Sequence, residues 1–328
     1  MILSRRRLLR AGAVAAIFQP ASRNAAAQTF PTHPIILVVP FPAAGPADVL
    51  ARILSEPMRA FLGQPVIIDN VPGAAGSIGV GRVARAPPDG YTLILGNLGT
   101  HVFNGAIYSL GYDVVNDFEA ISLLPSNNQL IIARNTIPAK SLQELVTWVK
   151  ANSDKVTCGT AGPGSPSHIA AAYFQSMLGV RFQLVPYRGT PQVIQDLVAG
   201  QVDLVFDQVS SSLAQVRSGK IKAFAVTAKS RLAAAPEIPS VDEAGLPGFY
   251  TTFWFGLWAP KDTPRSTIER LNAAVVEVMA GTIVKSRLAE LGSEIPTSEQ
   301  QNPHALAALQ KAEINKWWPI IRQANIKG

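Results

Sequence analysis

The sequence predicts an α/β protein of two lobes, each built on a mostly parallel sheet with flanking helices, and three observations point that way. Short apolar runs alternate with helical periods along the chain, which makes neighbouring strands parallel. The 328 residues exceed what one hydrophobic core normally holds. Four turns rich in glycine, proline and small polar residues stand where a strand pattern ends and a helical pattern begins, at 40–48, 97–100, 161–168 and 187–190. Sheets of this kind bind ligands outside the carboxyl ends of their strands, and all four turns fall there.

Taken in order, the expected strands are 35–39, 66–69, 92–95, 130–133, 156–160, 182–185, 203–206 and 223–227, short and rich in β-branched residues. The first helix carries Leu50, Ile53, Leu54, Met58, Phe61 and Leu62 at 3.6-residue spacing, with Pro57 inside it. Ser141-Leu142-Gln143-Glu144 is a capping box opening a second helix. Thr263-Pro264 opens a third, whose stripe is Ile268, Leu271, Val275 and Val278.

The chain begins Ser4-Arg5-Arg6-Arg7-Leu8-Leu9-Arg10, continues through an apolar stretch to Phe18 and reaches Ala25-Ala26-Ala27. This is the order of an export signal of twin-arginine type, removed after Ala27, and the apolar stretch is too short to span a membrane. The whole chain has 29 basic and 22 acidic residues, but Arg5, Arg6, Arg7, Arg10 and Arg23 lie in the segment to be removed. That leaves 24 basic residues and a charge of +2. So mild a charge gives no support for binding nucleic acid. The sole cysteine, Cys158, has no partner for an internal disulfide and reads as a core residue.

Catalytic motifs fail on context. Ala75-Gly76-Ser77-Ile78-Gly79 superficially resembles a hydrolase nucleophile turn, yet a Pro72-Gly73 turn precedes it instead of a buried strand. The stretch 79–84 fits a loose dinucleotide pattern, but it runs inside a helix. His33, His101, His168 and His304 are dispersed without metal spacing. A chain with a well-formed site and no nucleophile, base and orienting group reads as a binder, with no cofactor and no metal.

The chain resembles the substrate-binding proteins of tripartite tricarboxylate transporters, the Bug or TctC family. The resemblance runs through Phe41-Pro42-Ala43 to Asp48, Pro72-Gly73-Ala74-Ala75-Gly76-Ser77-Ile78-Gly79, Pro88-Asp89-Gly90-Tyr91-Thr92-Leu93, Pro186-Tyr187-Arg188-Gly189, Gly200-Gln201-Val202-Asp203, Glu243-Ala244-Gly245-Leu246-Pro247-Gly248 and Trp254-Phe255-Gly256. Each is weak alone; their shared order over the mature chain is specific. The resemblance implies a two-lobed, Venus-flytrap periplasmic binding protein, a monomer, that closes on a small carboxylate and delivers it to two integral membrane subunits. It also implies lobes of 28–125 with 229–328, and of 126–228, crossing near Pro125 and Lys229. The same pattern leaves open a ligand-sensing input to a membrane kinase and a secreted α/β hydrolase.

By motif, the ligand loops map onto Phe41, Ala43, Ala44, Gly45 and Asp48, onto Gly76 and Ser77, onto Gly99 and Thr100, onto Ser165, Ser167 and His168, onto Gly189 and Thr190, and onto Asp207. Ala44 stands where glycine is usual, and Pro46 removes an N–H donor. Helix N-termini attract anions without any buried cation. One ligand carboxylate is therefore expected against Ala43, Ala44 and Gly45, helped by Ser77 and Thr100. A second polar group would meet Ser165, His168, Gly189 and Thr190. Asp48 is read either as a ligand contact or as a carboxylate bonded to local N–H groups. Arg188 is read as a carboxylate clamp or as a solvated residue, and Phe41 as a stacking or a walling ring. Asp207 accepts local N–H bonds or meets a ligand ammonium or hydroxyl.

Overall fold

A computed structural model describes residues 30–323, so the expected export signal and its cleavage point lie outside the described residues. The first half opens with β1 (Ile35–Val39), α1 (Pro46–Leu62), β2 (Val66–Asn70), α2 (Ser77–Ala84) and β3 (Thr92–Asn97). A wide helical turn, Gly99–Phe103, leads into the short α3 (Asn104–Ile107). Helix α1 starts at a proline, which needs no N–H there, and stops at Gly63 in the left-handed region (φ 77°). It continues through Pro57 and buries Leu50, Ile53, Leu54, Met58 and Leu62. Each such side chain contributes about 1.5–3 kcal/mol by leaving water.

Strand β4 (Phe118–Arg134) then crosses into the second half, which holds α4 (Leu142–Ala151), β5 (Thr157–Thr160), α5 (Pro166–Leu178), β6 (Gln183–Pro186), α6 (Thr190–Val198), β7 (Leu204–Gln208), α7 (Val209–Arg217) and β8 (Ile221–Val226). The chain returns with β9 (Thr252–Pro260), and α8 (Arg265–Ala280), α9 (Thr282–Glu290), the two-residue β10 (Ser293–Glu294) and α10 (Pro303–Gln323) complete the first half. Ser141 caps α4 by accepting the Glu144 N–H at 3.2 Å, while Glu144 reaches back to the Lys140 N–H.

The ten strands form one continuous ladder, β2-β1-β3-β9-β4-β7-β5-β6, with β8 and β10 also paired to β4. Strands β2, β1 and β3 are parallel, as are β6, β5 and β7; β4, β8 and β9 run antiparallel to their neighbours. Residues Phe118 to Asn128 of β4 pair with β9, and Gln129 to Arg134 pair with β7 and β8. The register slips between Leu124 and Ser126, where Pro125 has no N–H to give the ladder.

Each sheet is covered on both faces. In the first, Leu37, Leu93 and Phe255 pack with α1, α8 and α9, and Val38, Ile94 and Trp258 pack with α2, α3 and α10. In the second, Ile131, Cys158 and Phe206 pack with α4 and α5, and Leu130, Ile132 and Val205 with α6 and α7. Cys158 is a buried core residue, and burial pushes its thiol pKa up.

The return from the second half comes later than Lys229. Leu232, Ala235 and Ile238 pack with α6 and α7, and Val241, Ala244 and Phe249 pack with α4 and α5, so residues 229–250 belong to the second half by contact. Thr227 ties the two crossings together. Its hydroxyl accepts the Gln129 N–H at 3.0 Å and lies 3.1 Å from the carbonyl oxygens of both Gln129 and Thr251.

Candidate ligand-binding cleft

Between the halves lies a cavity of about 460 Å³ free of protein atoms, its open mouth included. The first half lines it with Phe41, Gly45, Ala47, Asn97 and Phe255; the second with Gln129, Ser167, Thr190, Asp207 and Gln208.

The first wall is a loop held taut by Asp48. After β1 the chain turns through Ala44, whose φ of 63° places a non-glycine residue in the left-handed region. The Ala44 N–H donates to Asp48 Oδ2 at 2.8 Å, and Arg52 Nε donates to the same oxygen at 2.8 Å. Asn70 fastens the loop from behind by donating to the Phe41 carbonyl at 3.1 Å. Burial raises the Asp48 pKa, but hydrogen bonds from Arg52, Ala44 and Asn70 outweigh it and hold the carboxyl below its ordinary value. The Gly45 N–H turns back to the Pro42 carbonyl at 3.4 Å. With Pro46 lacking a donor, the free N–H groups of this helix start are those of Ala47 and Asp48, where the macrodipole also favours an anion. Beside them Asn97 accepts the Thr100 N–H at 3.0 Å, and its own N–H donates to the Thr100 hydroxyl at 2.9 Å.

The second wall is rich in acceptors. At the start of α5 the Ser165 hydroxyl accepts the His168 N–H at 3.3 Å, and Ser167 Oγ accepts the Ala161 N–H at 2.8 Å. Asp207, at the carboxyl end of β7, is 3% exposed. Burial pushes its pKa up to about 6, against the pull of hydrogen bonds from Ser211, Gln208, Ser212 and Thr190. Oε1 of Gln129 and Oε1 of Gln208 are buried without a donor among the described residues. A ligand group that donates hydrogen bonds would satisfy them.

The halves touch at the mouth. A Cβ on Gly189 would lie 2.6 Å from the Pro42 ring, and one on Gly99 would lie 3.3 Å from Pro166. The Tyr108 hydroxyl donates to the Pro163 carbonyl across the same gap.

Residues 50–326 match the tripartite tricarboxylate transporter family receptor, TctC. The chain belongs to this family. Its fold is that of periplasmic binding proteins: it is similar to the periplasmic binding protein BugD, with 38% identity and a TM-score of 0.87 over 91% of this chain and 99% of that one. It is also similar to MatC from Rhodopseudomonas palustris, solved with bound malate (39% identity, TM-score 0.85, 89% and 100% covered). A further R. palustris protein, solved with adipate, shares 31% identity at a TM-score of 0.86, with 91% and 99% covered. No helix among the described residues of this TctC-family chain is long and apolar enough to cross a membrane.

The sequence-expected residues divide into three groups. Phe41, Gly45, Ser167, Thr190 and Asp207 line the cavity. Asp48, Thr100 and Ser165 stand one layer behind: Asp48 braces the loop through the Ala44 N–H, Thr100 bonds Asn97, and the Ser165 hydroxyl lies 3.1 Å from that of Ser167; Gly99 and Gly189 are the close contacts between halves. The remainder are outside the lining. Ala43 and Ala44 are exposed on the loop, and the N–H groups of Ala44 and Gly45 are spent within it. Gly76 is packed on Thr100 and Pro40, with room for no Cβ, and the Ser77 hydroxyl donates to the Ala74 carbonyl. Arg188 is exposed. His168 is partly buried, its pKa lowered by burial, with Nδ1 unpartnered among the described residues. Sequence reasoning passed over Asn97, Gln129 and Gln208 as site residues. The signal for Gln129 is the polar run Asn127-Asn128-Gln129 interrupting an otherwise apolar strand pattern.

Proposed function

We propose that the mature protein, exported and freed of its leader near Ala27, captures a small di- or tricarboxylate, aromatic carboxylate or acidic amino acid in this cleft. It acts as a monomer, makes and breaks no covalent bond, and hands the ligand to two integral membrane subunits of a tripartite transporter. One observation carries the reading: a wall of free helix-terminal N–H groups faces a wall of acceptors across a small cavity. The malate and adipate seen in similar proteins support the ligand class.

In this reading one ligand carboxylate lies against Ala47, Asp48 N–H and the Asn97 amide. The far end meets Asp207, Gln129 and Gln208 with a hydroxyl, an ammonium or a protonated carboxyl. Hydrogen bonds to a charged group contribute about 1.5–3 kcal/mol each, so four or five of them at the upper end of that range, less an association cost of about 4 kcal/mol, reach about micromolar affinity. The halves bend about the Thr227 tie, and the ligand favours the contact arrangement because only there do both walls reach it. Calorimetric titration of the mature protein at neutral pH with malate, adipate, citrate, aspartate and benzoate tests this. At least one should bind at micromolar Kd and raise the melting temperature; no heat and no shift from any of them overturns the reading.

A further inference from the structure

On the other face of the first sheet a second hollow, about 730 Å³ with its mouth included, also bridges the halves. Phe103, Trp254 and Trp317 line it from the first half; Ile169, Tyr173 and Tyr250 from the second. Helix α5 borders both cavities, with Ser167 in the cleft and Tyr173 here.

The polar atoms of this hollow sort into spent and unspent. The Tyr173 hydroxyl donates to the Gly248 carbonyl, Tyr250 to Asp242, and Trp317 Nε1 to Glu313 at 2.7 Å. The donors of these three rings are therefore spent, and Glu313 Oε2 is taken by the Trp317 indole. Trp254 Nε1 and Thr251 Oγ1, in side chains 6% and 7% exposed, are buried with no partner among the described residues. A buried indole N–H can only donate, so it calls for an acceptor. Lys316 stands on the rim with Nζ 4.8 Å from the centre of the Trp317 ring.

We infer that this hollow is a second ligand site, taking a small aromatic acid. Its ring packs among the aromatic walls, its acid oxygen accepts from Trp254 and Thr251, and Lys316 supplies the opposing charge. Neither the cleft nor its ligand is required for this.

The test uses phenylacetate as the probe, with saturation-transfer NMR and thermal shift on the mature protein. Binding should appear in the wild type and persist in Gly189→Trp, which obstructs the cleft. It should weaken about tenfold or more in Trp254→Phe, which keeps the ring and removes the donor, and likewise in Lys316→Glu at the exposed rim. Both variants should melt where the wild type does without probe. Absence of binding to the wild type, loss of binding in Gly189→Trp, or undiminished binding in both other variants overturns the inference. Malate titration of the same proteins reads the cleft separately, so failure there is not mistaken for failure here.

Discussion

Two carboxylates sit on opposite walls of one cleft and are perturbed in opposite directions. Asp48 and Asp207 are both hidden from solvent, at 1% and 3% exposure. Asp48 receives an arginine and a backbone N–H and its pKa is lowered; Asp207 is supported by neutral donors alone and its pKa is raised to about 6. The difference lies in depth and partners together: Asp207 is the more deeply buried of the two and has no cation among its hydrogen-bond donors, whereas Asp48 has Arg52 beside it. Asp48 is consumed in bracing the loop that presents α1. Asp207 keeps capacity to spare and faces the cavity, which makes it the group a ligand can complete.

The comparison breaks most severely where the two walls meet. Gly189→Trp places an indole where even a Cβ would be 2.6 Å from Pro42. Malate affinity should fall about a hundredfold or more, the worth of two charge-assisted hydrogen bonds, with the fold intact by circular dichroism. Unchanged affinity would separate the mouth from the site. Asp48→Ala is next, because it orphans the Ala44 N–H. Denaturant unfolding should show a loss of about 2 kcal/mol at neutral pH, most of it from the backbone bond, as the Arg52 partner is largely exposed.

Asp207→Asn sharpens the contrast through pH. A folded pKa of about 6 against an ordinary value of 3.8 means the folded protein binds a proton that the unfolded chain does not between those limits. The contribution of this group is therefore full below about pH 4 and is lost as pH rises through 6. Asp48 has the opposite sign, stabilising above its unfolded pKa and failing as pH drops. Melting temperatures of the wild type minus those of Asp207→Asn should fall between pH 4 and pH 6; a flat difference would mean the carboxyl is not proton-bound when folded. Ala44→Gly is the smallest effect. Removing the left-handed penalty of about 1–2 kcal/mol and adding glycine's entropic cost of about 0.5–1 kcal/mol leaves a net gain of about 0.5 kcal/mol in chemical denaturation.

Much of this was legible in the chain because it is locally encoded. The parallel strands announced themselves as β-branched runs, and the turns after β1, β3, β5 and β6 as proline- and glycine-rich helix starts. What crosses between halves was not. Only 130–133 of β4 read as strand, because Pro125 punctuates it and Asn127 to Gln129 look like a loop. Strand β9 carries an almost unbroken apolar run whose register is set by β3 and β4, and nothing local reveals that. The stretch 229–250 has no regular element to declare a packing partner, so its allegiance to the second half emerges only from contacts. Within the site, sequence showed which loops gather but not which N–H groups are already used. Ala44 and Gly45 sit in the right loop with their donors turned inward, whereas Asn97 and Gln129 become site residues through the curl of the sheet.

Strand β4 belongs to both halves at once, with 17 residues that neighbour β9 at one end and stand between β7 and β8 at the other. Neither half can melt and leave the other whole: dissolving the second sheet frees a stretch of β4 whose remainder is woven beside β9, and dissolving the first does the reverse. The shared strand thus couples the two leaves in denaturation, and the expected outcome is one unfolding transition where two independent lobes would give two.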